Sequence, residues 1–223
     1  MSGFNQLKVL FNKLTTKKPP INPSSFNSEL ALKTKWSPQK TGGTNITTHY
    51  LFKYSENRVG FKISAGFKVF ISVFVISGLV FFSIGMMNFF KSGQDDSPAF
   101  IFPIIGLLFT GFATFMYLSA NRPRVFDKDS GYFWIGKKGP HQTNDKTVVK
   151  VFEKLENIEA IQLISEYIRS NKSSYYSYEL NLVLKNADRI NVIDHGNLEK
   201  IRRDAQTLSA FLDVPVWDAI NRS

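Results

Sequence analysis

The sequence predicts an α+β membrane protein: a two-helix transmembrane hairpin joined to an antiparallel sheet that a C-terminal helix closes. Three observations predict it. Residues 69–90 and 98–120 contain no Asp, Glu, Lys or Arg and are separated only by the polar stretch KSGQDDS. The chain after the second run alternates apolar and polar residues over several short stretches bounded by turn residues. The last periodic stretch, LEKIRRDAQTLSAFL, has helical spacing instead.

The two uncharged runs are 22 and 23 residues long. At a rise of about 1.5 Å per residue each reaches roughly 33 Å, enough for a hydrocarbon core of about 30 Å. A buried hairpin in a soluble protein is the alternative, but such helices normally keep one polar face. Residues 91–97 are then a turn on the far side, with Gly93 and Asp95-Asp96 suited to a tight reversal. Orientation follows the Lys and Arg counts. The turn holds Lys91 alone, whereas Lys53, Arg58, Lys62 and Lys68 precede the first span and Arg122, Arg124, Lys128, Lys137 and Lys138 follow the second. Both termini are therefore expected to be cytoplasmic, in a multi-pass protein of the cell inner (plasma) membrane. No cleavable signal peptide is expected, because the first 60 residues lack an apolar core of the required length. In the second span Gly106, Thr110 and Thr114 recur every four residues. This small-residue stripe is expected to pack the two spans together, with homo-oligomerisation as its second possible use.

The N-terminal arm is basic. Residues 1–68 carry eleven Lys plus Arg against Glu29 and Glu56. Within 1–18, Phe4, Leu7, Phe11 and Leu14 share one helical face, predicting a short basic amphipathic helix for an anionic leaflet or for the C-terminal domain. Residues 19–48, rich in Pro, Ser, Thr, Asn and Gly, read as a linker with little regular structure. Residues 49–68 read as two short strands or a juxtamembrane segment, strands that could join the later sheet. No nucleic-acid partner is expected: the arm lacks clustered Arg, and its lysines adjoin a span, where attraction to the inner leaflet explains them.

Residues 121–223 are predicted to form the extramembrane domain. RVFDKDSGYFWIGKK reads as strand, turn, strand, with Asp129-Ser130-Gly131 as the reversal. ENIEAIQLISEYI is read as a strand for its β-branched content. SYELNLVL places Tyr178, Leu180, Leu182 and Leu184 on one face and Glu179 and Asn181 on the other. RINVIDHG is the returning strand, with Ile190, Val192 and Asp194 expected to alternate against Asn191, Ile193 and His195. Asn197 is the predicted N-cap of the last helix, whose buried stripe is Leu198, Ile201, Ala205, Leu208 and Leu212. Pro215 is expected to end that helix and Trp217 to anchor the tail. Antiparallel strands finished by one amphipathic helix is the element order of PH-like domains. The stretches FDKDSGYFWIGKK, IEAIQLISEY, YELNLVL, NVIDHG and FLDVPVWDA resemble bacterial two-span membrane proteins with a C-terminal PH-like domain. The architecture is also similar to the photosystem I assembly family. The resemblance covers roughly residues 65–220 and implies a fold that supports lipid, peptide and assembly roles alike, with no catalytic residue transferred.

Little in the sequence points to catalysis. Cys is absent, and none of His49, His141 and His195 lies within fifty residues of another, so no metal site or cofactor is expected. There is no GxSxG elbow and no P-loop. Glu153, Glu156, Glu159 and Glu166 read as a solvated face, and Tyr175, Tyr176 and Tyr178 as cross-strand packing. The expected function is a non-enzymatic scaffold or assembly factor whose domain binds a membrane or cytosolic partner protein or anionic lipid headgroups. Arg122, Arg124, Lys137 and Lys138 are the candidate contacts, because they must lie near the bilayer. The alternatives are a membrane enzyme using Asp194 and His195, or a subunit of an oligomeric channel or an immunity protein.

Overall fold

The computed structural model describes residues 21–92, 100–139, 151–169 and 173–220. The amphipathic helix expected over 1–18, most of the turn 91–97, and His141 lie outside the described residues. The fold is α+β, with two sheets and two long apolar helices. Strands β1 (His49–Ser55), β2 (Arg58–Ile63), β3 (Arg124–Asp127), β4 (Tyr132–Ile135) and β5 (Val151–Lys154) form an antiparallel meander in that order. The second sheet has the order β8-β7-β6-β9, from β6 (Ile158–Arg169), β7 (Ser174–Leu184), β8 (Arg189–His195) and β9 (Val216–Asp218). Its pairs are antiparallel except that β9 lies parallel to β6.

Both sheets share one core. Phe61, Phe126 and Phe133 enter it from the meander, and Ile161, Leu163, Leu180 and Leu182 from the second sheet. The helix at Leu198–Leu212 closes it with Ile201, Ala205 and Leu208. That helix starts where expected, with the Asn197 side chain accepting from the Lys200 N–H at 2.9 Å. Its stop comes before Pro215: Asp213 adopts a left-handed conformation and its N–H returns to the Ser209 carbonyl. Strand β7 alternates as expected, but β8 does not. Its pairing jumps from Leu180–Ile193 to Asn181–Asn191, so Val192 is an extra residue and both Val192 and Ile193 are buried in the core. Beyond this bulge Asp194 pairs with Glu179 and His195 with Tyr178.

Residues 21–48 are not a free linker. A 3₁₀ turn at Pro23–Phe26 and a short helix α1 (Glu29–Lys33) lead into Trp36. Phe26 stacks on Trp36 with centroids 4.9 Å apart, and both meet Trp217 at 6.0 Å. The chain then runs as a strap over the outer face of the second sheet. Gln39 and Lys40 donate their backbone N–H groups to the buried Glu179 carboxylate, each at 2.9 Å. Gly42 and Gly43 donate to Glu166, and Thr44 to the Ser177 hydroxyl. A Cβ on Gly43 would stand 2.2 Å from Ser177 Oγ, so this close approach needs glycine. Glu166, expected to be merely solvated, thus holds backbone instead. The folded unit consequently includes residues 21–63 as well as the stretch after 121.

Helix α2 (Ala65–Ser92) and helix α3 (Ile101–Ala120) are long and apolar enough to cross a membrane. Their outer faces expose Val69, Ile76, Leu79, Leu107, Leu108 and Phe115, which a soluble core helix would bury. The pair is inserted between β2 and β3, which are hydrogen-bonded neighbours in register from Arg58–Asp127 to Phe61–Arg124. Both helices therefore root in the same end of the domain, and one cannot cross a bilayer without the other. Gly106 and Thr110 lie in the seam: a Cβ on Gly78 would meet Thr110 Oγ1 at 2.3 Å, and one on Gly106 would meet the Gly78 carbonyl at 2.5 Å. Thr114 is exposed, and the seam continues through Ala113. Gly106 and Thr110 are thus already used within the hairpin.

Candidate anion-binding cleft

A cleft of about 1040 Å³ opens where β1, the first turn of α2 and the C-terminal helix, now α4 (Leu198–Leu212), come together. Strand β1 is the edge of the meander, so its outer side has no strand beside it. Helix α4 turns Lys200, Arg203, Asp204 and Thr207 toward the cleft, at i, i+3, i+4 and i+7. These residues lie off the helix's buried stripe, so the same amphipathicity that builds the core also furnishes one cleft wall. Ala65, Gly66 and Lys68 supply the wall at the root of α2.

The electrostatic balance is cationic. Lys53, Lys68, Lys128, Lys200 and Arg203 line the cleft against Glu56 and Asp204. Lys53 is matched by Glu56 at 2.6 Å, and the Lys128 ammonium lies 4.8 Å from the Phe211 ring centroid. Among the described residues Lys68, Lys200 and Arg203 make no ion pair. Asp204 is engaged by the protein itself: its Oδ2 accepts the Leu51 N–H at 3.2 Å. Burial pushes its carboxyl up to about 6, against smaller downward effects of that bond, Arg203 and Lys200.

Two histidines form the floor. His49 Nε2 stands 2.7 Å from Arg124 Nη1, and a guanidinium can only donate, so Nε2 is the acceptor and Nδ1 carries the proton. Nδ1–H then donates to Thr48 Oγ1 at 2.8 Å, and that hydroxyl donates to the Asp194 carbonyl at 2.9 Å. The Ala120 carbonyl, 3.2 Å from Nε2, faces a second acceptor and shares the Arg124 donors. Burial, then the Arg124 charge, lowers His49 to about 3, so this ring is neutral. His195 is fully buried and its own pKa is lowered, chiefly by burial. Its Nδ1 lies 3.0 Å from the Asn197 N and 2.9 Å from the Asn197 carbonyl oxygen, so either neutral tautomer finds a partner there. Among the described residues Nε2 meets no hydrogen-bond partner. Beneath the cleft there is therefore a buried ring nitrogen without a partner.

The structure separates the four residues singled out from sequence. Arg124 is half-buried and turned inward: Nε donates to the Val192 carbonyl at 2.7 Å and Nη1 to the Arg122 carbonyl at 2.9 Å. Burial lowers its pKa to about 10. It is a structural tie between the sheets. Arg122 is exposed and lines a smaller recess with Lys62, Lys68 and Tyr117. Lys137 and Lys138 are exposed beyond β4 and do not line the cleft. Asp194 and His195 make separate contacts: Asp194 accepts from Asn191 at 3.1 Å on the strap side, while His195 bonds Asn197 on the cleft side. Sequence reasoning missed Lys200 and Arg203, whose signal was a basic pair three residues apart on the polar face of an amphipathic helix. No known family, curated protein or solved structure matches the chain.

Proposed function

We propose that this chain is an integral inner-membrane protein with both termini cytoplasmic, and that its PH-like domain works without catalysis as a scaffold or assembly factor. Its task is to hold an anionic group, on a lipid or on an acidic partner, against the membrane face. The observation that carries this reading is the ring of Lys68, Lys200 and Arg203, without an ion pair among the described residues, around a cleft rooted at the first turn of an apolar helix. Like charges gathered around a low-dielectric floor raise the local concentration of anions. The shared root of α2 and α3, with Lys and Arg on that side of the spans, supports the common orientation of the termini. The resemblance to two-span membrane proteins with a PH-like domain agrees with a module placed at its target by tethering.

The test uses the full chain in zwitterionic detergent, with inorganic pyrophosphate as a compact polyanion. Pyrophosphate is expected to raise the thermal midpoint, and the rise should shrink at 0.5 M salt. The variant Lys68→Ser/Lys200→Ser/Arg203→Ser should lose the rise. Equal responses from the variant and the parent would overturn the reading.

A further inference from the structure

The cleft does not end at the domain. Helix α2 carries Ala65 and Lys68 on the cleft wall, and four and eight residues beyond Lys68 come Ser72 and Ile76. At 3.6 residues per turn these four side chains stack on one face, so the wall continues along the helix for roughly 16 Å. Ser72 and Ile76 line a second concavity of about 370 Å³ between α2 and α3, completed by Val75, Ala113, Thr114 and Tyr117. Tyr117 also borders the recess that contains Lys68, which ties the groove to the basic end from the α3 side.

The two concavities differ in chemistry in the way the two ends of an amphiphile differ. The cleft offers the cations Lys68, Lys200 and Arg203. The groove has no charged residue. Its two aliphatic hydroxyls are turned back onto their own helices, Ser72 Oγ to the Lys68 carbonyl at 2.9 Å and Thr114 Oγ1 to the Thr110 carbonyl at 2.8 Å. Apart from the Tyr117 phenol, what the groove shows outward is therefore methyl and methylene surface, on helices apolar enough to cross a membrane.

We propose that the cleft and the groove together form one binding site for an anionic phospholipid. The phosphate headgroup sits among Lys68, Lys200 and Arg203, and one acyl chain lies in the groove between α2 and α3. This rests on the anion-binding reading of the cleft and names the source of the anion. A free phosphate or an acidic peptide would use the cleft but leave the groove without purpose. A lipid uses both, and its chain need never leave the bilayer.

The experiment is native mass spectrometry of the full chain released from micelles containing equal amounts of phosphatidylglycerol and phosphatidylcholine with identical acyl chains. One phosphatidylglycerol per chain is expected, preferred at least tenfold over phosphatidylcholine. Ser72→Phe/Thr114→Phe, which fills the groove at two exposed positions, should reduce that retention at least tenfold while keeping the pyrophosphate-induced rise in thermal midpoint. The cleft variant Lys68→Ser/Lys200→Ser/Arg203→Ser should lose both. Unchanged retention in the groove-filled variant, or no preference for the anionic lipid in the parent, overturns the lipid site while pyrophosphate binding keeps the anion-binding reading intact. Loss of the pyrophosphate response in the parent itself would overturn both.

Discussion

Arg124 offers the sharpest separation between a structural and a surface role. Replacing it with Met keeps a similar length and removes the guanidinium. The Val192 carbonyl then loses its donor at 2.7 Å, the Arg122 carbonyl its donor at 2.9 Å, and His49 Nε2 its donor at 2.7 Å. The Val192 carbonyl and His49 Nε2 are the buried acceptors of the three, and each left unmatched costs about 1–3 kcal/mol. Relief of burying the guanidinium, which already holds its pKa down to about 10, offsets part of that. The net loss is about 2–4 kcal/mol, which for a unit of this size lowers the thermal midpoint by roughly 5–15 °C. The assay is thermal unfolding of the full chain in zwitterionic detergent, with and without phosphatidylglycerol. Arg124→Lys should fall between parent and Met variant, because one ammonium cannot reproduce the forked geometry. A shift under 2 °C, or one that appears only with the anionic lipid, would refute the reasoning and return Arg124 to the membrane surface.

Two other predictions probe the strap and the cleft. Trp217→Ala removes the ring that Phe26 and Trp36 pack against, a loss of about 3–5 kcal/mol, and should speed trypsin cleavage at Lys33, Lys35 and Lys40; an unchanged cleavage rate would contradict the docked strap. The pH response sets His49 against Asp204. His49 is held at about 3 in the fold against an ordinary 6.5, so its contribution is complete above 6.5 and is lost as pH falls toward 3. Asp204 is raised to about 6 against an ordinary 3.8, so it weakens the fold as pH rises from 3.8 through 6. Asp204→Asn should therefore stabilise the chain at pH 7.5 by up to about 2 kcal/mol, allowing for solvent at this partly open site, with the advantage fading by pH 4. Midpoints measured across that range check it, and a constant difference between parent and variant would count against it.

The elements that sequence revealed are those whose signal is local. The uncharged runs, the alternation of Tyr178, Leu180, Leu182 and Leu184, and the Asn197 cap each depend on residues within a few positions of one another. The bulge at Val192 depends on how β8 meets β7, and no feature of RINVIDHG announces it. The strap was hidden for a similar reason. Its polar, Gly-rich composition is that of a solvated connector, yet its N–H groups find carboxylates on residues 123 to 140 positions away. Trp36 and the Gly42-Gly43 pair were the only hints that it docks. Arg124 shows the limit of counting charges: flanking a span fixes where a residue is, and says nothing about which way its side chain turns. The cleft draws on β1, β2, the root of α2, the turn after β3, the end of β8 and α4, and these segments carry no common motif.

Because β2 and β3 are neighbours in one sheet but lie on either side of α2 and α3 in the chain, the protein has a fixed order of assembly on the ribosome. The β1–β2 ribbon emerges first, with Val59 and Phe61 still lacking the partners that will cover them. Only after both apolar helices have been made can β3 zip onto the waiting strand and the rest of the core condense. A nascent polypeptide that stalls before that moment leaves this aromatic surface uncovered. Completion of the globular part thereby reports that both apolar helices have been synthesised.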